Sequence, residues 1–384
     1  MKNIIRLLYR YFKKLTKTLY FNIAKYFSNK YLTESTANAR KKLSNFSPNP
    51  NTSALSDNEA ITPFSYDLQI IIPAYNVEAY IKECLDSVLN QKTKYNVKVV
   101  LIDDGSTDKT GEIINSYSDA RLEVIHQENR GFSGARNRGL EKIYAKYIMF
   151  VDSDDYIDCE MYSTMMKYAE TGADIVEIGC RLINIVGKVI RTTSFNEETI
   201  IGERECVIHY LKQKNTTNYL WNKLYKKDLL CKNDFIGLRF SEDFYVNVHT
   251  HARAKLKVIV PLECYNYVIH AEQNTSLQKF SLARTDSIKA GKLVIKDFKK
   301  DKQIKSLAGI YVCNYYVYFA HIIKKQNYSE WKEYMHITNR DLLYCLFNTK
   351  INLVENKSRE MFKKKALMLF LLKKKYFYFE WLIE

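Results

Sequence analysis

Four aspartates lie within seven consecutive residues, directly after the apolar run YIMFV. They are Asp152, Asp154, Asp155 and Asp158. Carboxylates this close repel one another, so water or a cation must offset their charge. A solvated acidic turn is one interpretation. The other is a divalent cation held by Asp152 and Asp154, whose side chains, two residues apart on an extended segment, can point the same way.

Two further polar segments follow apolar runs in the same manner. PAYN at 73–76 follows LQIII, and IDDGSTD at 102–108 follows VKVVL. These runs, with LEVIH at 122–126, lack polar alternation and are separated by helical patterns, which predicts an α/β fold with a mainly parallel central sheet covered on both faces. Ligands of such sheets bind beyond the carboxyl ends of the strands, so the three polar segments should meet in one crevice.

The glycine motifs of nucleotide-binding proteins are not met here. The turn after the first strand, PAYNVE, has no glycine, which excludes the dinucleotide-binding motif. Gly134 and Gly139 have the spacing of phosphate-binding loop glycines, but Leu140 stands where that loop needs a lysine. The crevice instead offers carboxylates, which suit a metal ion better than a bare phosphate.

The two ends of the chain differ from this central pattern. Its first 33 residues contain no acidic residue, and 1–43 is predicted as a basic amphipathic helical segment. This segment lies on an anionic bilayer surface or packs on its own protein with the lysines outward. We predict a polar linker at 44–66, a catalytic domain at 67–276 and a helical region at 277–384.

The amino-acid composition limits which binding partners and which cellular compartment are expected. The 384-residue chain has a formal net charge of +16, which favours an anionic partner unless it reflects biased composition alone. Its eight cysteines form no CxxC pair, which matches neither a zinc site nor a small disulfide framework and favours a reducing cytoplasm. The longest apolar run, ALMLFLL at 366–372, is far shorter than the roughly 20 residues that cross a bilayer. We expect a protein that does not cross a membrane.

Six motifs in a fixed order carry a resemblance to a known family. They are IIIPAYN, LIDDGSTDKT, ENRGFSGARNRGL, IMFVDSDD, WNKLYKKDLL and FSEDFYVN. The span from Leu68 to about Ser276 resembles a family 2 glycosyltransferase of the GT-A fold, most like bacterial enzymes that build capsular or other surface polysaccharides. Each motif alone is weak, but their order and spacing together are specific.

The resemblance implies an inverting transfer of a sugar from a nucleotide-diphospho-sugar, usually UDP-linked, to a glycan or lipid-linked acceptor. It also implies Mg²⁺ or Mn²⁺ as the cofactor. With the basic first segment, it places the protein in the cytoplasm, peripheral on the inner face of the cell membrane. Two alternatives remain: a catalytically inactive scaffold with the same fold, and a nucleic-acid-binding protein, which the acidic crevice disfavours.

The resemblance assigns the nucleoside to the first two polar segments. Pro73 and Ala74 bring backbone close to the base, Tyr75 stacks on it, and Asp104 accepts the uracil imide proton, while Asp103 points elsewhere. The alternatives are that Tyr75 belongs to the core and that the second segment is an Asx-rich turn that caps a helix.

The resemblance assigns the diphosphate and its metal to the third segment and to Arg136. Asp154 is the direct metal ligand, and Asp152, with Ser153 between the two, contacts the ribose or assists at the metal. The other two aspartates of the run are assigned to the surface or to a helix start. Arg136 contacts the diphosphate near a helix N-terminus, unless it forms a surface ion pair.

The acceptor side is assigned from the later motifs. Asp243 is the candidate base, with Glu242 beside it, unless Ser241 merely caps a helix whose first turn carries both acids. The remaining acceptor-side candidates are Trp221, Lys223 and His126, of which Trp221 is alternatively a core residue. His270 lies where related enzymes place a basic residue near the diphosphate.

Overall fold

The computed structural model describes residues 64–196, 198–213, 215–231, 234–270 and 282–325. These residues fall into two compact units, one containing residues 64–270 and the other residues 282–325. The predicted amphipathic segment, nearly all of the linker, the boundary at 276 and the apolar run at 366–372 lie outside the described residues.

Ten strands form one sheet in the first unit. They are β1 (Tyr66–Ala74), β2 (Val97–Asp103), β3 (Leu122–His126), β4 (Ala145–Phe150), β5 (Tyr156–Ile157), β6 (Ile175–Asn184), β7 (Val189–Thr193), β8 (Thr199–Gly202), β9 (Lys223–Lys226) and β10 (Leu256–Ile269). Their order is β3-β2-β1-β4-β9-β6-β10-β5, with β7 beside β6 and β8 beside β10. Each of the four strands predicted from the first apolar runs is present.

Helices cover the sheet and build the second unit. In the first unit they are α1 (Ile81–Leu89), α2 (Thr110–Asn115), α3 (Gly131–Leu140), α4 (Met161–Glu170), α5 (Glu203–Lys212) and α6 (Glu242–Arg253). In the second unit they are α7 (Asp286–Asp297) and α8 (Lys302–Lys325), which pack closely where Gly291 meets Val312. Among the helices of the described ranges, none combines the length and the apolar character needed to cross a bilayer.

The sheet is mixed in direction. The strands β3, β2, β1 and β4 are parallel, as the sequence predicts, and β6 is parallel to β10. The strand β9 runs antiparallel to both of its neighbours, β4 and β6. The predicted α/β class is confirmed, but the sheet is mixed rather than mainly parallel. Two successive reversals also make β6 parallel to β4, so their carboxyl ends lie at the same sheet edge.

Both faces of the parallel half are covered by helices, because β1 carries apolar side chains in both directions. Ile70 and Ile72 join Leu85 of α1 in one core, and Ile71 joins Leu140 of α3 in the other. Gly139 brings α3 down onto the sheet, since a Cβ there would lie 2.4 Å from Ile71 Cγ2. This close contact sets the distance between α3 and the sheet, and with it the position of the polar side chains of α3.

Candidate active site

One arginine joins two distant acidic segments. Arg136 of α3 is buried, and its Nη2 donates to Asp152 Oδ1 at 3.1 Å in the loop after β4. Its Nη1 donates to Glu242 Oε1 at 2.9 Å and to Asp243 Oδ1 at 3.3 Å, both in the first turn of α6. We call these four residues the Arg136 cluster. The alternative of a surface ion pair for Arg136 is wrong, because its side chain lies inside the protein.

The Arg136 cluster has more carboxylates than cations. Burial alone would lower the pKa of Arg136, but the charges of Asp243, Asp152 and Glu242 outweigh it and raise that pKa. Burial, together with the neighbouring charge of Glu242, raises the pKa of Asp243 well above its usual range. A guanidinium cannot neutralise three carboxylates, so the cluster favours an added proton or a further cation.

The first turn of α6 reconciles the two interpretations of Asp243. Glu242 and Asp243 do occupy a helix start, where the helix dipole favours acids. Ser241 precedes them with a left-handed φ of 62°, unlike the extended conformation of a serine that caps with its hydroxyl. The same two acids also reach Arg136, so a helix-start position and membership of the cluster coincide.

Asp154 faces a histidine from the end of β10. His270 Nε2 lies 3.5 Å from Asp154 Oδ2, and the buried imidazole packs against the tilted ring of Tyr80 with ring centroids 4.0 Å apart. Neither ring nitrogen of His270 has a hydrogen-bond partner within the described part of the chain. Burial, and then the charge of Asp152, raises the pKa of Asp154 to about 6, and burial lowers the pKa of His270.

These two side chains have the donor chemistry of a divalent cation site. An imidazole nitrogen that has no hydrogen-bond partner and a neighbouring carboxylate are ligands that Mn²⁺ accepts, and the carboxylate suits Mg²⁺. In residues 64–270 and 282–325, apart from the few left undescribed, no three His, Cys, Asp or Glu side chains gather as metal ligands. A Mg²⁺ ion shared with substrate phosphates needs only one or two protein carboxylates. The residues present therefore fit a metal completed by a diphosphate.

The surface assignment of Asp155 is wrong. Its side chain is buried, and it accepts hydrogen bonds from Tyr265 Oη at 2.9 Å and from the Val268 amide at 2.8 Å, both on β10. Tyr265 Oη also accepts from the Asp152 amide at 3.1 Å. Asp155 therefore anchors the loop between β4 and β5, residues 151–155, to β10. We call this segment the acidic loop. Asp158 is half-buried and pairs with Arg181 at 2.7 Å.

The second polar segment separates its two aspartates. Asp104 is buried, and its Oδ1 accepts from Gln127 Nε2 at 2.6 Å and from the Arg130 amide at 2.8 Å. Asp103 instead accepts from the Ser106 amide through Oδ1. The alternative of an Asx-rich turn therefore holds for Asp103, whose side chain bonds to a nearby backbone amide as in such turns. The carboxylate of Asp104, by contrast, is held by Gln127 and Arg130 in the loop after β3.

The first polar segment lies beside Asp104. The Asp104 amide donates to the Ala74 carbonyl at 2.8 Å, and both Pro73 and Ala74 are buried. Tyr75 is 44% exposed at the end of β1, so the alternative of a core tyrosine is wrong. An exposed ring next to a buried, oriented carboxylate is an arrangement that can hold a planar base.

Three acceptor-side candidates have their main contacts outside the Arg136 cluster. His126, at the end of β3, bonds Asp103 Oδ2 of the second polar segment at 2.8 Å and Asn115 Oδ1 at 3.1 Å. Trp221 is buried and stacks on Tyr265, which makes it a core residue behind the acidic loop. Lys223 is fully buried on β9 and makes ionic contacts inside the sheet. Ser153 is buried within the acidic loop.

Sequence spacing alone missed three functional contacts. These are the anchoring of Asp155 by Tyr265, the approach of His270 to Asp154 and the link from Arg136 to α6. Each joins residues far apart in the chain, and each depends on which strand lies next to which. Asp154, Asp155 and His270 follow strands and the two acids begin α6, but Arg136 and Tyr265 lie inside their elements, and no spacing marks them.

Comparison with known proteins identifies relatives of this domain. Residues 69–233 match the family model described as Glycosyl transferase family 2. The uncharacterized glycosyltransferase EpsJ of Bacillus subtilis is 34% identical over 197 residues, which are 49% of this chain and 57% of EpsJ. Glycosyltransferase GlyA of Streptococcus pneumoniae is 33% identical over 217 residues, 53% of this chain and 30% of GlyA. The chain thus spans less than two thirds of the length of these curated relatives.

A solved structure shares the fold. The crystal structure of S. aureus TarS 1-349 in complex with UDP-GlcNAc superposes with a TM-score of 0.58 at 19% sequence identity. The match covers 81% of this chain and 93% of the TarS chain. This similarity confirms the predicted GT-A fold.

Proposed function

Because residues 69–233 of this chain match the model of glycosyl transferase family 2, we propose that the protein transfers a sugar from a nucleotide-diphospho-sugar to a glycan or lipid-linked acceptor in bacterial surface polysaccharide biosynthesis. The observation that carries this proposal is the Arg136 cluster, which holds the candidate base Asp243 beside the acidic loop of Asp152 and Asp154. A UDP-linked donor is proposed by analogy with TarS, which was solved with UDP-GlcNAc. We place the enzyme in the cytoplasm, peripheral on the inner membrane face.

The nucleoside is proposed to bind at the ends of β1 and β2. Tyr75 presents an exposed ring on which a uracil base can stack. Gln127 and Arg130 hold Oδ1 of Asp104, which orients the carboxylate so that Oδ2 can accept the imide proton. A base without that proton would leave a buried carboxylate without its partner, and this selects against cytosine.

The diphosphate is proposed to bind at the acidic loop. Asp154 and His270 would hold Mg²⁺ or Mn²⁺, which on binding would stabilise the negative charge of the departing nucleotide. Asp155 and Tyr265 keep this loop in place, so that the carboxylate of Asp154 does not have to reorganise during the reaction. Asp152 is held by a hydrogen bond from Arg136 Nη2.

Asp243 is proposed to accept the proton of the acceptor hydroxyl. The acceptor oxygen attacks the anomeric carbon while the bond to the diphosphate oxygen breaks, and the nucleoside diphosphate leaves with the electron pair. An in-line displacement of this kind inverts the anomeric centre. A raised pKa suits a base that works near neutral pH, and Arg136 holds the carboxylate in position.

The proposal is tested with a panel of nucleotide sugars. The full chain is incubated with each sugar nucleotide with and without Mn²⁺, and thermal unfolding and hydrolysis of the donor are measured. We expect one UDP-sugar to raise the unfolding temperature and to be hydrolysed only when the metal is present. Asp154→Asn should remove both effects, whereas Asp243→Asn should keep the thermal shift and lose turnover. Stabilisation by UDP-sugar that is equal in Asp154→Asn and wild type would refute the metal assignment.

A further inference from the structure

The hairpin between β6 and β7 exposes an unusual run of apolar side chains. Ile185, Val186, Val189 and Ile190 are between 46% and 78% exposed, and they lie within six consecutive residues. We call residues 185–190 the hairpin tip. Soluble surfaces seldom expose large apolar side chains in such a contiguous group without a partner.

The hairpin tip lies beyond the same sheet edge as the candidate active site. On β6, Cys180 is paired with Tyr265, whose hydroxyl contacts the acidic loop. Asn184 follows four residues later on the same strand, which corresponds to about 13 Å along a strand. The tip therefore projects past the crevice in the direction in which the crevice opens.

The charge around the tip is positive. Residues 178–196 contain no aspartate or glutamate, and Lys188 and Arg191 are exposed at the tip and on β7. Arg181, further down the hairpin, is occupied by Asp158. Two exposed cations beside four exposed apolar side chains match the chemistry of an anionic lipid surface, where phosphates meet acyl chains.

The arrangement of the apolar side chains favours lipid over protein. Ile185 and Val186 lie in the turn, and Val189 and Ile190 lie where the register of β7 against β6 shifts, so these exposed side chains do not form one regular strand face. A flat protein partner needs such a face to cover these side chains, whereas a bilayer interface surrounds an inserted tip. A second copy paired along β7 would bring Arg191 side chains of like charge together, which disfavours that pairing.

We propose that the hairpin tip is a membrane-docking element that inserts into the interface of a bilayer rich in anionic lipid. Docking there would hold the crevice close to the lipid surface, within reach of a lipid-linked acceptor; this consequence rests on the proposed function. The membrane docking itself does not rest on the proposed function, because it depends only on the side chains of the hairpin.

The test compares two isoleucines of equal exposure. Ile185 in the tip and Ile200 on β8 are each 65% exposed, and β8 pairs with the amino-terminal part of β10, away from the crevice edge. Binding of full-length wild type, Ile185→Asp and Ile200→Asp is measured by co-flotation with vesicles of phosphatidylcholine alone and of equal parts phosphatidylcholine and phosphatidylglycerol. We expect Ile185→Asp to weaken binding to the anionic vesicles by about tenfold or more, and Ile200→Asp to leave it unchanged.

A second measurement reports insertion of the tip directly, even if another segment of the chain also binds lipid. In a Val186→Trp variant, emission from the added tryptophan should shift to shorter wavelength on anionic vesicles and be quenched by lipids brominated on their acyl chains. Vesicle binding without any such shift or quenching would overturn the proposal, as would equal losses in Ile185→Asp and Ile200→Asp.

Two controls separate this proposal from its alternatives. Light scattering after gel filtration gives the oligomeric state; a wild-type dimer that Ile185→Asp converts to monomer would overturn the proposal in favour of pairing between copies. Metal-dependent donor hydrolysis without vesicles should be the same in Ile185→Asp and wild type. Loss of lipid binding with intact hydrolysis supports the docking tip, and absence of hydrolysis in every protein would count against the proposed function alone.

Discussion

Two charge clusters of the first unit have opposite composition. In the Arg136 cluster, one guanidinium faces Asp152, Glu242 and Asp243. In the second, which we call the Glu177 cluster, the carboxylate of Glu177 lies 3.3 Å from Lys223 Nζ and 2.6 Å from Lys257 Nζ, and all three side chains are fully buried. One cluster has an excess of carboxylates, and the other has an excess of ammonium groups.

The two clusters differ in how completely hydrogen bonds satisfy the polar atoms of their members. Lys223 Nζ donates to the carbonyls of Thr217 and Tyr219, and Glu177 accepts from Thr216 Oγ1 and the Thr217 amide. Burial would raise the pKa of Glu177, but the two lysines outweigh it and lower that pKa. In the Arg136 cluster, by contrast, Arg136 Nε has no partner among the described residues.

This difference in hydrogen bonding indicates a structural role for the Glu177 cluster and a functional role for the Arg136 cluster. A buried ionic network whose members are all hydrogen-bonded fixes one arrangement of its strands. A cluster with surplus carboxylates and raised pKa values is prepared to take up a proton or a cation, which is the property of a catalytic site. The same conservative substitution should therefore have opposite consequences in the two clusters.

The largest effect is expected from Asp243→Asn. We expect sugar transfer to fall by about 10²–10⁴-fold, because the acceptor hydroxyl loses its base. The free energy of unfolding should stay equal or rise, since a half-buried carboxylate that repels Glu242 is removed. Steady-state transfer rates and urea unfolding measure the two quantities. Turnover near the wild-type rate would remove Asp243 from the mechanism.

Glu177→Gln is the matched substitution in the other cluster. It leaves two buried ammonium groups without their carboxylate, so the free energy of unfolding should fall by about 3–5 kcal/mol. Transfer per folded molecule should be unchanged, because Glu177 lies among the side chains of β6, β9 and β10. Urea unfolding with activity measured below the transition tests both statements. A loss of stability as small as that for a surface residue would contradict the structural role.

Arg136→Lys sharpens the contrast within the Arg136 cluster. Lysine keeps the charge but has no planar fork, so it cannot reach both Asp152 and the first turn of α6. We expect a loss of about 1–3 kcal/mol in stability and a transfer rate reduced by about tenfold or more, because Asp243 loses its orientation. A variant with wild-type stability and rate would show that charge alone, without the bridging geometry, is sufficient.

The sequence predicted what depends on local pattern and strand ends. The parallel strands, the meeting of three polar segments and the presence of Asp152 and Asp243 near one another follow from apolar runs, the rule for parallel sheets and the family motifs. The surface assignment of Asp155 failed because its partners on β10 lie 110 and 113 residues away. Nothing in the spacing around residue 155 indicates which later strand will lie beside it.

Lys223 shows the same limit of sequence-based prediction, because it was assigned to the acceptor side and lies buried in the sheet. A lysine in a motif next to an aromatic residue resembles a substrate contact, and only the sheet order reveals that β9 is enclosed between β4 and β6. There its ammonium group meets Glu177 of the neighbouring strand, which lies far earlier in the chain. Burial of a charge is a property of the assembled sheet, so the sequence could not distinguish the two roles.

The smallest predicted effect is a pH dependence of the free energy of unfolding, which Lys223 introduces. Burial lowers its pKa from 10.5 to about 8, against the opposing charge of Glu177. Below about pH 8 the native state carries the full cost of a buried ammonium group. As pH rises from about 8 toward the unfolded value, the native state loses its proton first, so this cost diminishes. The stability of wild type relative to Lys223→Met should therefore increase by about 1 kcal/mol per pH unit.

Urea unfolding of wild type and Lys223→Met between about pH 7.5 and pH 9.5 measures this difference. A matched pair in the Glu177→Gln background gives the control, because Lys223 there has lost the carboxylate that favours its charged form. In that background the increase should begin at lower pH. A difference between wild type and Lys223→Met that is constant over the whole range, or that falls as pH rises, would contradict the buried ammonium group and with it the contrast between the two clusters.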